Sequence, residues 1–345
     1  MLPIKLALIM GGKSSEREIS LASGREVLAH LDSQRYQVSV YDPATDLARL
    51  VADAPNLDLA MPVLHGLGGE DGTIQGFLSL LGLPYVGSGV LASAQAIDKN
   101  ITKNIYRFNK LPVAPDILLE CSQGLWESLG GRDLKNRLDS QEVLEVLANI
   151  SKEEEGPLAA SLLQVEKDLG FPVVVKPLDQ GSSVGLSLVK NKSELKISLL
   201  KAWACSPRAL VEKFLEGREF TSAVLGNRKL TSLPPVEIIP GPGHAFFDYS
   251  AKYDPGESQE ICPADLTASE IAQISDLALK AHLALGCRGI SRTDFILKNG
   301  VFYLLETNTL PGLTQGSLVP KAAQAYGLTF TAFLDRLIAL ALEKP

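Results

Sequence analysis

The sequence predicts an α/β fold that opens with a doubly wound parallel sheet. In the amino-terminal third, short apolar runs alternate with stretches of helical periodicity, and this alternation is typical of strand–helix–strand units. Glycine-rich loops follow two of the apolar runs, at the strand ends where such sheets bind their ligands. The 345 residues exceed one ordinary core, so we expect two or three subdomains.

The elements of this first part are predicted from apolar runs and helical spacing. Strands are expected at 4–10, 36–41 and 57–64, and helices at 16–31 and 73–81. A longer helix over 92–110 contains Lys99 and Lys103. Segment 121–162 is polar, rich in charge and helix-prone, which indicates a surface insertion or a helical excursion.

The rest of the chain predicts further strands, two helices and a hairpin. Strands are expected at 173–177, 209–215, 219–225 and 235–239, and helices at 193–204 and 268–286. Residues 240–262 are rich in glycine and proline, and long loops of this kind are usually functional or mobile. The second of the two helices leads into a hairpin at 293–306.

The composition excludes some classes of partner. Hydrophobic residues make up 46% of the chain and charged residues 21%, as in soluble globular proteins. A net charge of −7 argues against a nucleic-acid surface, which needs a basic face. No apolar run reaches membrane-spanning length, and the apolar start at 2–10 is interpreted as a strand instead of a signal peptide. Four cysteines without a CxxC pair fit a reducing compartment, so we expect a cytoplasmic protein with no membrane partner.

The hairpin places polar side chains at its two ends. Arg292 and Asp294 stand in one strand, and Glu306 and Asn308 in the other. Oxygen ligands of this kind suit Mg²⁺, and a guanidinium beside them suits a phosphate or a carboxylate. The alternative is an exposed, charged hairpin end. We favour the site because the surrounding strands are apolar, and buried charges there need partners.

The turn of the hairpin decides whether these side chains can meet. Asn299-Gly300 is a strong signal for a two-residue turn. That turn would pair position 294 with 305, so Asp294 and Glu306 would face opposite sides of the hairpin. A shared metal requires one face. We therefore predict a three-residue loop, Lys298-Asn299-Gly300, with Gly300 left-handed in a bulge.

Two further segments have the chemistry of a nucleotide site. Lys176 ends a valine-rich strand and runs into the Gly/Ser loop 178–185, whose backbone N–H groups can cradle phosphate. A plain flexible loop is the competing interpretation. The strand over 212–215, with Glu219 beyond it, can offer its edge to an adenine and a carboxylate to a ribose, although most such strands are only strands.

Two residues at strand ends of the first sheet are candidates for substrate binding. Glu16 stands at a helix start, where a carboxylate is usually a cap or a partner of the helix dipole; the alternative is that it binds a substrate ammonium. His65 opens a glycine-rich loop, which favours a site over a packed core histidine. Glu70 and Asp71 in the same loop are predicted to cap the following helix.

Taken together, these segments resemble the D-alanine–D-alanine ligases of the ATP-grasp superfamily. They run in family order between residues 11 and 318: GGKSSEREIS, HGLGGEDGTIQG, LPYVGSG, KPLDQGSSVG, AKY, SRTDF and LLETNTLPGLT. The resemblance implies a pre-ATP-grasp domain at 1–102, a first ATP-grasp subdomain at 103–225 that includes the insertion 121–162, and a carboxy-terminal subdomain at 226–345 with a mobile loop at 240–262.

The resemblance implies an ATP site between the two ATP-grasp subdomains, with two Mg²⁺ (or Mn²⁺) ions. The residues implied are Lys99, Lys176, Gly181 and Ser183 at the phosphates, Glu212, Lys213, Phe214 and Leu215 at the adenine, Glu219 at the ribose, and Asp294, Glu306 and Asn308 at the ions. Glu306 would bridge the two ions. Phosphoryl transfer needs mostly positioning and charge neutralisation, which such a set supplies.

The reaction implied by the resemblance joins two D-alanine molecules for peptidoglycan precursor synthesis. The carboxylate of the first attacks the γ-phosphate of ATP to give an acyl phosphate, and the amine of the second then displaces phosphate. The residues implied are Glu16, Ser182 and Tyr253 around the first substrate, Arg292 and Gly312 at the oxyanion, His65 beside the first substrate, Lys252 over the phosphate, and Ser317 and Leu318 at the second carboxylate. We expect a homodimer.

Several departures and alternatives stay open. Gly316 stands where a bulkier residue is common, which predicts a looser acceptor pocket, and Gln180 replaces an acidic residue of some members. A ligase for another acceptor, such as D-serine or D-lactate, is the nearest alternative. A nucleotide-binding protein that has lost catalysis is a second, although every metal ligand and the arginine are present. A dinucleotide oxidoreductase is disfavoured because its glycine pattern is absent.

Overall fold

In the part that the structure describes, the chain folds into three sheets with helices packed against them. The structure is a computed structural model and describes residues 2–129, 152–179, 185–241 and 258–343. The amino-terminal sheet is parallel and the two that follow are antiparallel. The predicted α/β class, with a parallel sheet at the amino terminus, is therefore confirmed.

The parallel sheet has the first strand of the chain at its centre. Its elements are β1 Ile4–Met10, α1 Arg17–His30, β2 Tyr36–Tyr41, α2 Leu47–Asp53, β3 Leu59–Val63 and α3 Thr73–Leu80. Leu6, Leu8 and Ile9 of β1 are fully buried, because a central parallel strand is covered on both faces. The strands and helices predicted for this part are confirmed close to their expected ends, and α2 is an addition.

The prediction of one helix over 92–110 is wrong, because the chain forms two helices there. They are α4 Val90–Ile97 and α5 Lys99–Phe108, and Asp98 between them has an extended backbone. The Asp98 carboxylate accepts a hydrogen bond of 2.9 Å from the N–H of Ile101, which satisfies a free donor at the start of α5. The break places Lys99 in the first turn of α5.

A second group of elements builds an antiparallel sheet with helices against it. These are β4 Asp116–Glu120, α6 Gln123–Ser128, α7 Lys152–Asp168, β5 Val173–Pro177, β6 Ser187–Val189, α8 Lys192–Cys205 and β7 Arg208–Lys213. The strand order is β4-β7-β5-β6. Trp203 of α8 is 2% exposed and is the largest side chain in the core of this unit.

Segment 121–162 contributes to that core. Its described ends supply Leu125, Leu129, Leu158 and Leu162, which pack around Trp203, so the expectation of a surface insertion is wrong for these parts. The charged neighbours of the leucines hide the apolar face when composition alone is considered. Residues 130–151 lie outside the residues that the structure describes.

A third group builds the sheet that forms one wall of the site. Its elements are β8 Arg218–Gly226, β9 Thr231–Ser232, β10 Val236–Pro240, β11 Ser258–Ile261, α9 Ala268–Ala284, β12 Gly289–Lys298, β13 Val301–Asn308, α10 Leu318–Ala325 and α11 Phe330–Leu342. The strand order is β11-β10-β8-β12-β13, with β9 on β8. The prediction of a loop over 240–262 is wrong for its last residues, because Ser258–Ile261 form β11 and pair with β10. Residues 242–257 lie outside the described ranges.

The β12–β13 hairpin closes with the two-residue turn, so the predicted three-residue loop is wrong. Lys298 pairs with Val301, and both turn residues are left-handed, Asn299 at φ 51° and Gly300 at φ 77°. The register shifts farther along, where Phe295 pairs with Leu304 but Asp294 pairs with Glu306. The extra residue of β13 is therefore a bulge. Asp294 and Glu306 face the same side, as a shared ligand requires.

The parallel sheet and the third sheet share one hydrophobic core. Leu8 and Val27 pack in the same cluster as Ile290, Phe333 and Leu337. Among the described residues no single helix is long and apolar enough to cross a membrane, and α10 with α11 passes that test only as a pair bent by 102°.

A second core, behind the third sheet, contains a histidine. His282 of α9 is fully buried, and its Nδ1 lies 2.7 Å from the hydroxyl of Ser291. Its Nε2 is buried without a hydrogen-bond partner. Burial lowers the pKa of His282 from 6.5 to about 4, because the charged ring would lose its hydration.

This histidine predicts a loss of stability in mild acid. Below pH 6.5 His282 binds a proton in the unfolded chain, but in the folded protein it does so only below about pH 4. The free energy of unfolding therefore falls as the pH falls through that window. The free energy of unfolding should drop by roughly 2 kcal/mol between pH 7 and pH 5 from this group alone. In urea titrations at both pH values, His282→Gln should show a smaller drop than the wild type. Equal drops in the two proteins would contradict the assignment.

Candidate active site

A cavity of about 250 Å³ lies where α1, the loop after β3, the α4–α5 junction, the β12–β13 hairpin and the start of α10 meet. It brings together predicted residues from distant parts of the chain. Those that line it are His65, Lys99, Arg292, Glu306, Asn308, Gly312, Ser317 and Leu318. The remaining predicted residues lie around it or outside the described part of the chain.

One wall of the cavity is the polar face of the hairpin. Arg292 donates two hydrogen bonds to the Asp294 carboxylate, at 2.8 and 2.9 Å. Thr221 of β8 donates to the same carboxylate at 2.7 Å. Burial alone would lower the pKa of Arg292, but the charges of Asp294 and Glu306 raise it. The guanidinium is thus held charged and aimed along the wall.

The same face presents the oxygen atoms predicted to hold metal. Glu306 and Asn308 line the cavity, and Asp294 lies beside Glu306 in the strand register. The Asn308 side-chain oxygen accepts a bond of 2.9 Å from the N–H of Leu310, which fixes its orientation. Among the described residues no three His, Cys, Asp or Glu side chains form a metal cluster; this set has two carboxylates and one amide. An all-oxygen set of this kind fits Mg²⁺ or Mn²⁺.

Two lysines approach this wall from other elements. The ammonium of Lys99 lies 3.7 Å from the Glu306 carboxylate. Lys176, at the end of β5, lies 3.5 Å from Glu212. Burial alone would lower the pKa of Lys176, but the charges of Glu212 and Glu306 raise it. The Lys99 ammonium therefore lies beside the acidic wall, and the charges of Glu212 and Glu306 favour the charged form of Lys176.

The carboxylate of Glu212 has a partner that sequence reasoning missed. Lys103 of α5 is fully buried and forms an ion pair with Glu212, and its ammonium lies 3.2 Å from Asp116. Burial would raise the pKa of Glu212, but the charges of Lys176 and Lys103 lower it. The sequence showed that Lys99 and Lys103 are one helical turn apart. It did not show that Lys99 faces the cavity and Lys103 the protein interior.

The strand expected at the adenine is not a sheet edge. β7 lies between β4 and β5, and beyond it the N–H groups of Lys213 and Phe214 already donate to Pro115 and Pro172, at 2.9 and 3.2 Å. The expectation of a free edge is therefore wrong for β7 itself, which is paired on both sides, while the adenine contact expected at 212–215 stays a prediction. Phe214 and Leu215 fall in the connection from β7 to β8. Glu219 of β8 pairs with Ile296, on the face that bears Asp294.

His65 lines another side of the cavity, and Glu16 lies behind it beside Gly66. Glu16 precedes α1 but makes no capping bond and is only 4% exposed, so the cap interpretation does not hold. Its carboxylate lies so close to Gly66 that a Cβ there would stand 2.7 Å from Oε2. Burial lowers the pKa of His65, while the charge of Glu16 opposes that shift. The ring is therefore neutral beside a buried carboxylate.

Glu70 belongs to this end as well, which corrects its assignment as a cap. Its carboxylate accepts a 2.9 Å bond from the N–H of Gly66 and lines the cavity. Asp71 alone contacts the start of α3, through the N–H of Thr73. Burial raises the pKa of Glu70 to about 8, and the charge of Glu16 acts in the same direction. Its position in the loop with His65 was the available signal.

A third end of the cavity is formed by the segment that leads into α10. Gly312 lies beside His65 and Ser317, since a Cβ at 312 would stand 3.7 Å from the imidazole and 3.0 Å from the Ser317 hydroxyl. Thr314 donates its N–H to that hydroxyl at 3.2 Å. Leu318 begins α10, whose free N–H groups and positive dipole end favour an anion.

Five predicted residues cannot be placed. Gly181, Ser182, Ser183, Lys252 and Tyr253 lie outside the residues that the structure describes. The cavity brings His65, Arg292 and Gly312 together without them.

The sequence matches two family models. The model described as D-ala D-ala ligase N-terminus matches residues 5–48 and 42–88, and the model described as D-ala D-ala ligase C-terminus matches residues 143–339. The D-alanine–D-alanine ligase of Syntrophobacter fumaroxidans is 47% identical to this chain over 340 residues, which is 99% of this chain and 98% of the relative.

Two solved structures share the fold over nearly the whole length. The D-alanine–D-alanine ligase of Bacillus anthracis complexed with ATP has a TM-score of 0.75 at 30% identity, covering 98% of this chain and 97% of that one. The VanG D-Ala:D-Ser ligase of Enterococcus faecalis has a TM-score of 0.77 at 28% identity, covering 99% and 100%. By its sequence matches and its fold, the chain belongs to the D-alanine–D-alanine ligase family.

Proposed function

We propose that this chain ligates two D-alanine molecules to D-alanyl-D-alanine at the expense of ATP, as a step in peptidoglycan precursor synthesis. The observation that carries the proposal is one cavity with three chemically different ends. A buried carboxylate suits an ammonium, the arginine and acidic wall suit metal-bound phosphate, and a helix start suits a carboxylate. Two amino acids and a nucleoside triphosphate together supply an ammonium, a phosphate and a carboxylate for these three places.

The first substrate binds at the end with Glu16 and His65 in this proposal. The buried Glu16 carboxylate pairs with its ammonium, and the neutral His65 orients it without adding a repelling charge. Its own carboxylate then points toward Arg292 on the hairpin wall. Ser182 and Tyr253 complete this end by resemblance alone.

Phosphoryl transfer follows along the acidic wall. An oxygen of the substrate carboxylate forms a bond to the γ-phosphorus, and the bond from that phosphorus to the ADP oxygen breaks. Lys99 and Lys176 neutralise phosphate charge, and Asp294, Glu306 and Asn308 are the residues that would hold Mg²⁺ or Mn²⁺, which supplies further neutralisation when bound. The connection 212–215 and Glu219 would meet the adenine and the ribose, with Gly181, Ser183 and Lys252 at the phosphates.

Peptide bond formation uses Arg292 of the hairpin wall and the end of the cavity at the start of α10. The amine of the second D-alanine attacks the acyl carbon, the bond to the phosphate oxygen breaks, and the amine proton leaves with the departing phosphate or to solvent. Arg292 and the N–H of Gly312 stabilise the oxyanion that develops. Ser317 and the first N–H groups of α10 hold the carboxylate of the second substrate.

Other features of the proposal extend beyond the site. We infer the three-part division at 1–102, 103–225 and 226–345, a homodimer, and a cytoplasmic location. The last agrees with the need for ATP and with four cysteines that form no disulfide. A D-serine or D-lactate acceptor is the second candidate, favoured by Gly316, whose added Cβ would meet nothing closer than 3.9 Å.

The proposal predicts phosphate release from ATP and Mg²⁺ that depends on D-alanine. A coupled phosphate assay should give turnover with D-alanine and none with L-alanine, and mass spectrometry should find the D-alanyl dipeptide. Parallel reactions with D-alanine plus D-serine or D-lactate test the acceptor. Poor D-alanine incorporation beside efficient incorporation of another acceptor would favour the second candidate.

The acidic wall predicts a large loss of activity when its charge is removed. Asp294→Asn and Glu306→Gln should each lower D-alanine-dependent phosphate release roughly 10²- to 10³-fold, because phosphoryl transfer relies on charge neutralisation. Asp276→Asn removes a carboxylate from an exposed pair with Lys280 and should leave turnover unchanged. Full activity in both wall variants would refute the metal assignment.

Glu70 predicts a pH-dependent cost to folding. Above its ordinary pKa of 4.5 the unfolded chain loses a proton that the folded protein keeps until about pH 8, so stability falls as the pH rises through this window. Glu70→Gln keeps the oxygen that accepts from Gly66 and removes the titration. The Tm of this variant, relative to wild type, should rise from pH 5 to pH 8 without substrates. Glu127→Gln, at an exposed position on α6, is the control. A difference in Tm between Glu70→Gln and wild type that does not vary with pH would contradict the raised pKa of Glu70.

A further inference from the structure

Helix α1 presents one face along the cavity. Ile19 and Ser23 of this helix line it, and Glu16 lies just ahead of the helix. Positions 16, 19, 23, 26 and 30 follow one another at steps of three and four, so they form a single stripe. The stripe continues past the cavity to Glu26 and His30, for which the proposed function has no role.

Glu26 and His30 both bind the segment that closes the acceptor end. The Glu26 carboxylate accepts a 2.8 Å hydrogen bond from the backbone N–H of Gln315. The Gln315 side-chain nitrogen lies 2.6 Å from Nε2 of His30. His30 Nδ1 lies 2.8 Å from the carbonyl of Glu26. Because a carbonyl only accepts, Nδ1 donates to it, and Nε2 accepts from the side-chain amide of Gln315.

The His30 ring is itself held in place. It stacks edge-on against Phe330 at 5.1 Å between centroids, and Thr331 donates to the His30 carbonyl at 3.2 Å. Both partners belong to α11, which is packed in the shared core. The anchor for Gln315 is thus a fixed surface, built from two helices.

The inner side of the same segment faces the cavity. Thr314, Gly316 and Ser317 line it, whereas Gln315 points outward. Thr314 and Ser317 bond to each other, with 2.8 Å between their hydroxyls. Gly316 has no side chain that could pack and hold the turn. Leu313 and Leu318, on either side of the turn, are packed in the shared core, and within the turn Gln315 makes the contacts to α1.

We propose that Glu26 and His30 are positioning residues that set the affinity for the second, acceptor substrate. They hold the turn 314–317 from outside through Gln315, so that Ser317 and the start of α10 meet the acceptor carboxylate in a fixed geometry. Neither residue touches a substrate. The inference rests on the proposed function, since it assigns this end of the cavity to the acceptor.

The expected effect is a selective loss of acceptor binding. A charge-assisted hydrogen bond of this kind is worth enough to change an equilibrium by about tenfold. Glu26→Ala should therefore raise the acceptor KM about tenfold and leave the donor KM unchanged, since Glu16 and His65 are untouched. Gln315→Ala, an exposed change with little risk to folding, should raise the same constant several-fold.

The test is an initial-rate analysis over a wide range of D-alanine concentrations, fitted for separate donor and acceptor constants. Glu26→Gln keeps an oxygen that can accept from the Gln315 N–H and should restore much of the acceptor KM. Glu18→Ala removes the same side-chain type from the exposed face of α1 and is the matched control. The ratio of D-serine to D-alanine incorporated should change in Glu26→Ala and Gln315→Ala but not in the control.

The possible outcomes distinguish a failure of the positioning role from a failure of the proposed function. An inactive wild-type chain would refute the proposed function. An active wild type whose Glu26→Ala and Gln315→Ala variants keep the acceptor KM would refute the positioning role alone. Equal increases in the donor and acceptor constants would also refute it, because they would report a general weakening of the fold.

Discussion

The candidate site depends on the register of the β12–β13 hairpin. A bulge in β13 lets Asp294 pair with Glu306 and Arg292 with Asn308, so all four polar side chains face the cavity side. The other face holds Thr293 and Thr307, whose hydroxyls are 2.6 Å apart, and the packed rings of Phe295 and Phe302. Without the extra residue Glu306 would turn toward those rings, because a shift of one residue moves a side chain to the opposite face.

A buried network of charges connects this wall to the middle sheet. Glu212 forms ion pairs with Lys103 of α5 and Lys176 of β5. The side chain of Lys103 has no exposed surface. Removing one member would leave a charge buried without compensation, which is far more costly than losing a surface pair. The same network keeps Lys176 charged at the edge of the cavity. The same arrangement thus supports the fold and holds Lys176 as the cation that the proposed function assigns to phosphate.

Helix α1 connects two ends of the cavity, which the proposed function assigns to the two amino acids. Glu16 stands ahead of it, Ser23 contacts His65 at 3.4 Å, and Glu26 and His30 hold Gln315. A helix is stiff over this length, so the separation of the two ends is fixed by its rise per residue. The shared core with α11 fixes the helix against the third sheet. The proposed function would therefore place its two amino-acid substrates on one rigid frame.

The sequence by itself determined the fold class and the order of most strands and helices, because periodicity and glycine-rich loops depend only on local neighbours. Most site residues came from the resemblance of its motifs to a known family, and their roles stay predictions. It also showed that Asp294 and Glu306 must share a face. Only the tertiary structure decided how: a bulge at Leu305, not a longer turn. The division of helix 92–110 at Asp98 and the burial of Lys103 were out of reach, and the cavity position of Glu70 had one signal only, its place in the loop with His65. Each of these features depends on contacts with residues far along the chain. A local sequence pattern is compatible with several packing arrangements and does not specify which one the folded protein adopts.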